Sequence, residues 1–500
     1  MAVTGGTVDM KTAVGFPFPQ GCTVEGQTAN FSVAVPEGQT CELIIYKKGA
    51  RTSAFSQEMP YSDVAGNLHF LSVVLEQPED YEYCYKIGGK IVPDPYGKAF
   101  SGREHWSVSK GKEKRKLRTR IVTDTFDWGK SQFPHLKKED VIAYSLHVRG
   151  FTKHSSSGVA HKGTFDGVTE KLPYLQKLGI NQIHLMPVYE FDENQRHVNY
   201  WGYGKAYFFA PKASYAAGDP VNEMKSLVRQ MHLAGIEVIL EMPFTEGTTF
   251  SLILDCLRYW VMQYHVDGFI VNPYICNPDE LAKDPVLAKS KILKKEDGFQ
   301  NVMRRFLKGD EGMIRDVICQ LKNQDTQLYN YIASHNGFTL CDVVSYDGKH
   351  NEANGENNLD GPDYNYSWNC GAEGNSRKKA VNELRKNQIF NAFFLLLFAQ
   401  GMPCILSGDE FMNTQKGNNN AYCQDNLISW LDWNQLSRQE ELYTFVCRLI
   451  ALRKACMKQI AKKIRRHDGQ KRNPSDFLSW GGCVADAGRA CKQTAWCILS

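Results

Sequence analysis

The residues of this 500-residue chain that could do chemistry are acids and amides at the ends of apolar runs. Glu241 closes Ile236-Glu237-Val238-Ile239-Leu240-Glu241, and Glu246 follows five residues later. Asp267 and Asn272 lie in His265-Val266-Asp267-Gly268-Phe269-Ile270-Val271-Asn272, and Glu296 follows Lys291-Ile292-Leu293-Lys294-Lys295. Two carboxyl groups about 5 Å apart can cleave a glycosidic bond, one attacking carbon and the other protonating the leaving oxygen. The 265–272 stretch reads as a short buried strand whose last residue points into a site. That residue is Asn272, an amide with neither nucleophilicity nor charge, where a sugar-cleaving site would carry a carboxylate. The histidines show no metal-ligand spacing, so neither a metal nor another cofactor is expected.

The elements that must position these groups alternate strand and helix, the signature of a parallel sheet with covering helices. Val141–Thr152 reads as the first strand and its loop, Ile180–Val188 as the second, Ile236–Phe244 as the third and His265–Asn272 as the fourth. Ser290–Leu293 is a stub of a fifth, and the sequence places no sixth. Tyr331–Asn336 reads as the seventh and Met402–Ser407 as the eighth. Helices are expected over Phe165–Leu178, Met224–Ala234, Leu252–Trp260, Arg385–Gln400 and Leu442–Lys454. Before the barrel, runs such as Asn30–Val35 and Cys41–Tyr46 alternate between turns, which predicts a small β-sandwich. The expected division is a leader at 1–13, a sandwich at 14–100, a polar linker at 101–138, a barrel at 139–455 and a short tail at 456–500.

Net charge is +4, near neutral for this length, and gives no reason to expect nucleic acid. The basic stretches Lys110–Arg120 and Lys462–Arg466 read as solvated faces. Fifteen cysteines without CxxC pairs, several inside apolar runs such as those of Cys256 and Cys404, fit reduced thiols and a cytoplasmic location. The N-terminus has no basic-then-apolar signal, and the run Ile389–Ala399 is too short to span a bilayer, so no membrane association is expected.

Gly268 and Phe269 match the Gly-Phe-Arg-x-Asp nucleophile strand of glycoside hydrolase family 13, the α-amylase superfamily. The longer match is His335–Leu340, Val343–Tyr346, Lys349–Asn357, Ser367–Gly371, Ser407–Phe411, Gly417–Asn426 and Ser429–Trp433, with Asn199–Tyr203 and Phe209–Tyr215 upstream. These runs resemble the isoamylase and bacterial glycogen-debranching (GlgX-type) branch over about residues 14 to 455. Gly15–Gly21 and Asp94–Ala99 resemble the two ends of a carbohydrate-binding module family 48 domain. The resemblance implies an α/β chain: a (β/α)8 TIM barrel, here trimmed, behind an immunoglobulin-like β-sandwich. It also implies hydrolysis of α-1,6 branch links in glycogen or starch. Tyr81, Tyr83 and Tyr85 are expected to pack across strands rather than to stack on glucose.

The residues that carry the family's chemistry are changed. Asn272 stands at the nucleophile position and Ile270 at its arginine partner. The acid/base position falls near Lys295 or Glu296, and Asn336 replaces the third carboxylate. The loop after the third strand is nearly absent. Tyr203 matches a ring-stacking tyrosine and His335 a hydroxyl-binding histidine, the two substrate-binding candidates. Glu352, Asp409 and Asp425 read as structural hydrogen-bonding groups of their loops. The expectation is an inactive debranching-enzyme homologue that binds α-glucan or partners an active debranching enzyme. A hydrolase with relocated acids, drawn from Glu241, Glu246, Asp267 and Glu296, is the first alternative. A scaffold without sugar affinity is the second.

Overall fold

The computed structural model describes residues 10–107 and 117–467, and of 457–467 the backbone alone. The basic run from 108 to 116, the side chains of Lys462–Arg466 and the tail from 468 onward lie outside the described residues, as does most of the expected leader.

Two antiparallel sheets form the N-terminal sandwich. One orders Thr12–Val14, Leu68–Val74, Thr28–Ala34 and Gly21–Glu25. The other orders Phe55–Glu58, Cys41–Lys47, Tyr81–Ile87, Arg118–Arg120 and Phe100–Ser101, with Lys90–Val92 added beside Tyr81–Ile87. Phe31, Leu43, Ile45, Leu71, Val73, Tyr83 and Tyr85 fill the space between them. Two expected boundaries change. Thr12 and Ala13, placed in the leader, pair with Val73 and Ser72. Residues 118–120, placed in the linker, pair with Tyr83 and Glu82, and Thr119 is fully buried. A three-residue strand is too short to show a period, which is why the basic surroundings of Thr119 read as linker.

Tyr83 and Tyr85 are core residues. Phe31 meets the Tyr83 ring edge-on at 4.9 Å, and both hydroxyls donate to Asp94 Oδ2, at 2.6 and 3.2 Å. With Tyr81 also buried, none of the three is available to a sugar ring. Burial pushes the Asp94 carboxyl up to about 6 against the pull of its tyrosine and backbone donors.

The barrel contains seven parallel strands: β1 (Ala143–Leu146), β2 (Gln182–Leu185), β3 (Glu237–Met242), β4 (Gly268–Val271), β5 (Lys291–Leu293), β6 (Tyr329–Asn330) and β7 (Met402–Leu406). Their order is β5-β4-β3-β2-β1-β7-β6. The ends meet: Lys294 pairs in parallel with Leu328, and its N–H donates to Gln327 O at 2.9 Å. Among the described residues no strand of this ring answers to the one that the sequence could not place. Helices α3 (Gly298–Lys308) and α4 (Ile314–Lys322) fill the connection from β5 to β6. A sheet that closes leaves no unpaired edge, so the seam between Lys294 and Leu328 stands in for the missing strand.

Alternation along each strand sorts the side chains. Val238, Leu240 and Met242 face the helices, whereas Ile239 joins Ala143, Ile270, Leu293, Tyr329, Tyr331, Met402 and Cys404 inside the barrel. At the base Gln182 Nε2 donates to Glu237 Oε2 at 2.7 Å, and Lys291 Nζ also reaches Glu237. Helix α2 (Phe250–Tyr264) joins β3 to β4; it starts on the Thr249 side-chain cap and ends at His265, whose φ of 53° reverses the chain into β4. The expected helix over Phe165–Leu178 divides into Phe165–Glu170 and Leu172–Leu178, with Pro173 opening the second. Tyr331–Asn336, read as a strand, is the loop that leaves β6, because the ladder with β7 is made by Tyr329–Asn330 and ends there.

Candidate functional site

Parallel strands present their chemistry at the C-terminal ends, and there the sequence candidates divide. Ile270 pairs with both Glu241 and Leu293, so these three positions lie level across β3, β4 and β5. Two residues further, Asn272 and Lys295 share the same inward phase. Asn272 is exposed, and its Oδ1 accepts from Tyr274 N at 3.0 Å, opening the turn that leaves β4. Lys295 follows Lys291 and Leu293 in phase and carries its Nζ to 5.5 Å from the Tyr331 ring centre. Glu296 falls on the opposite phase, half exposed, with Lys294 Nζ at 3.1 Å. Of the two residues near the acid/base position, the lysine faces the mouth. Asn336 is exposed on the loop after β6.

Tyr203 and His335 do come together, and Glu241 joins them. Tyr203 Oη lies 2.5 Å from Glu241 Oε1 and 2.7 Å from His335 Nε2. A hydroxyl has one proton, so donation to Glu241 leaves its oxygen to accept from the His335 Nε2–H. His335 is 9% exposed and Glu241 14%. Burial, and after it the Lys295 ammonium, hold the His335 imidazole well below its ordinary value, so the ring is neutral. Burial raises the Glu241 carboxyl, opposed by Lys295 and the Tyr203 hydroxyl. Burial lowers Lys295, opposed first by Glu241.

The local sequence explains how Tyr203 is held. The hairpin of Tyr189–Phe191 with Ala206–Pro211 carries its loop. Asn199 brackets that loop, donating to Tyr203 O at 2.9 Å and accepting from Gly202 N at 3.0 Å. Gly202 has a φ of 82°, and a Cβ there would sit 2.4 Å from the Phe191 ring, so no other residue fits. Below, Lys212 Nζ bridges Glu190 and Glu193 at 2.9 Å each, all three fully or almost fully buried.

Beside Tyr203 runs an open groove of about 420 Å³. Trp201, Tyr203 and Tyr422 give it aromatic faces, and Arg196, Asn199 and Asn420 give it polar ones. Its far wall is set by an amide lattice: Asn419 N donates to Asn351 Oδ1 at 2.9 Å, and Asn418 and Gln424 both donate to Asn354 Oδ1, at 2.9 and 2.8 Å. Tyr422 then donates to Glu356 Oε1 at 2.9 Å. The sequence shows the asparagines but not this groove, which joins segments more than 200 residues apart. Asp409 accepts from Leu340 N at 2.9 Å, and Asp425 holds Arg149 at 2.7 and 2.9 Å. Both thus serve their loops. Glu352 is largely exposed.

The mouth therefore presents one buried carboxyl, Glu241, with a neutral histidine, a tyrosine and a half-buried lysine around it. Such a set can bind hydroxyls and move a proton.

Residues 137–246 match the family model described as the α-amylase catalytic domain. That match stops where the short connection Thr245–Thr249 leads into α2. The chain is 31% identical to isoamylase 1, chloroplastic, of Arabidopsis thaliana, with 88% of this chain and 75% of the relative covered. That alignment runs over 590 positions, more than this chain has residues, so the relative carries segments that this chain lacks. The glycogen operon protein GlgX homolog of Haemophilus influenzae is 32% identical, covering 75% of this chain and 74% of the relative. Among solved structures, the apo pullulanase of Paenibacillus barengoltzii superposes with a TM-score of 0.69 at 21% identity, covering 88% of this chain and 81% of that one. The type I pullulanase of Bacillus subtilis in complex with maltose gives the same TM-score and identity, with 72% of its chain covered.

Proposed function

This chain belongs to the isoamylase-type branch of the α-amylase superfamily, and on that premise we propose that it binds α-glucan without cleaving it. The observation that carries the reading is the composition of the barrel mouth: by the family resemblance Asn272 and Asn336 stand at two of the carboxylate positions, and the third falls near Lys295 or Glu296, of which Lys295 has the inward phase. An amide cannot attack an anomeric carbon, and a lysine in place of the acid puts positive charge where an oxocarbenium ion would form. The groove beside Tyr203 supports retained sugar affinity. It joins aromatic faces to amide and guanidinium donors, the mixture that stacks on a glucose ring and bonds its hydroxyls. The proposed role is a glucan-binding or regulatory subunit acting beside an active debranching enzyme. The proposed location is a reducing compartment such as the cytoplasm, supported by the buried free thiols of Cys256, Cys276 and Cys404. No described helix is long and apolar enough to cross a membrane.

Two measurements test the reading. Reducing-end release from glycogen and β-limit dextrin stays at background, and migration in a glycogen-containing native gel is retarded. Hydrolysis by the unaltered chain refutes inactivity; unretarded migration refutes glucan binding and leaves the scaffold reading.

One observation favours a competing reading. Burial raises Glu241 toward the range of a general acid, as a relocated hydrolase would need. On that reading any hydrolysis is lost in Glu241→Gln.

A further inference from the structure

Lys295 is the one group in the mouth whose chemistry differs in kind from that of a sugar-binding site. Its ammonium sits among Tyr331, Cys404 and Glu241, at the C-terminal end of a barrel strand. Among the described residues it makes no ion pair within 4 Å, whereas Lys291 and Lys294 on either side are both paired. The groups that act on it are Glu241 from β3, Asp297 on its own segment, Cys404 from β7, Arg304 from α3 and His335 from the loop after β6. Arg304 and the neutral His335 do not supply a counter-charge; Glu241 and Asp297 oppose the effect of burial, which remains the larger influence and lowers Lys295. A lysine so placed spends more of its time as the free amine than a solvated one.

We propose that Lys295 is a carbonyl-reactive amine that forms a reversible imine with small aldehydes, including open-chain sugars that enter the mouth. The Nζ lone pair attacks the carbonyl carbon, the C–O π pair moves to oxygen, and one N–H proton passes to that oxygen. The second N–H proton and the hydroxyl then leave as water, forming the C=N bond; water reverses both steps. Glu241, whose carboxyl burial raises, is the acid placed to assist departure of the hydroxyl, and Tyr203 fixes its orientation. The proposal uses the mouth alone and needs no glucan in the groove.

The test is made on the unaltered full-length chain. The protein is incubated with glyceraldehyde and sodium cyanoborohydride, which traps imines by hydride addition, and the labelled lysines are mapped by peptide mass spectrometry. At pH 7, labelling of Lys295 exceeds that of the exposed Lys48 and Lys379 by about tenfold or more. The preference narrows as pH rises toward 10, where solvated lysines also lose their protons. Labelling of Lys295 equal to or below that of the exposed lysines, or a preference that does not change with pH, overturns the proposal. Glyceraldehyde does not depend on the groove, so failure of glucan binding in the native gel leaves this result readable by itself.

Discussion

On the proposed reading Asn272→Asp restores the family's nucleophile at the end of β4, and it gives a clean perturbation, because Asn272 is exposed and uses its Oδ1 only to accept from Tyr274 N. An aspartate oxygen accepts the same bond, so the fold should hold to within about 0.5 kcal/mol. The new carboxylate is solvent-exposed and remains ionised, as a nucleophile must. It still meets no acid at the family's acid/base position, since Glu296 points away to Lys294 and Lys295 fills the inward phase. Groups that act as a unit lose about as much when one is missing as when all are, commonly 10⁴-fold or more. Restoring one of three should therefore recover less than about tenfold, or ~1.4 kcal/mol of transition-state stabilisation. The assay is reducing-end release from β-limit dextrin by the variant and the unaltered chain side by side, with thermal unfolding to show that both are folded. A gain of a hundredfold or more in Asn272→Asp would refute the reasoning, because it would require an acid/base already in place.

Four further outcomes follow from the contacts. Tyr203→Ala removes a ring from the groove and should weaken glycogen retardation several-fold, about 1 kcal/mol, in native gel electrophoresis. Lys212→Met strands the buried Glu190 and Glu193 carboxylates and should cost about 3–5 kcal/mol by denaturant unfolding. Lys294→Pro deletes the N–H that bonds Gln327 O at the barrel seam; it should cost about 3 kcal/mol and speed amide exchange in β5 and β6 before other strands. Asp94 is raised to about 6 by burial against an unfolded value near 4, so its contribution is full below about pH 4 and is lost as pH rises through 6. The stability of the unaltered chain relative to Asp94→Asn should accordingly fall by about 3 kcal/mol between pH 4 and 7, read from unfolding midpoints across that range.

Sequence alone determined the family and the sandwich ahead of a barrel. Each of these is written in short-range signals: period-two runs, strand–helix alternation and contiguous motifs such as Ser407–Phe411 or Gly417–Asn426. It named Asn272 and Asn336 because those residues end recognisable runs. It left Lys295 and Glu296 unresolved, because choosing between them requires the pleat phase of β5, and a three-residue strand shows no period of its own. Pairing of Leu293 with Ile270 set that phase and turned the lysine inward. Tertiary structure also decided how the ring closes, since the contact of Lys294 with Leu328 depends on the path of α3 and α4 between them. It likewise gathered Tyr203, Glu241 and His335, from three elements separated by up to 132 residues, into one hydrogen-bonded group. Long-range pairing leaves no periodic trace in a single chain, which is why the family motifs were legible and the groups gathered at the barrel mouth were not.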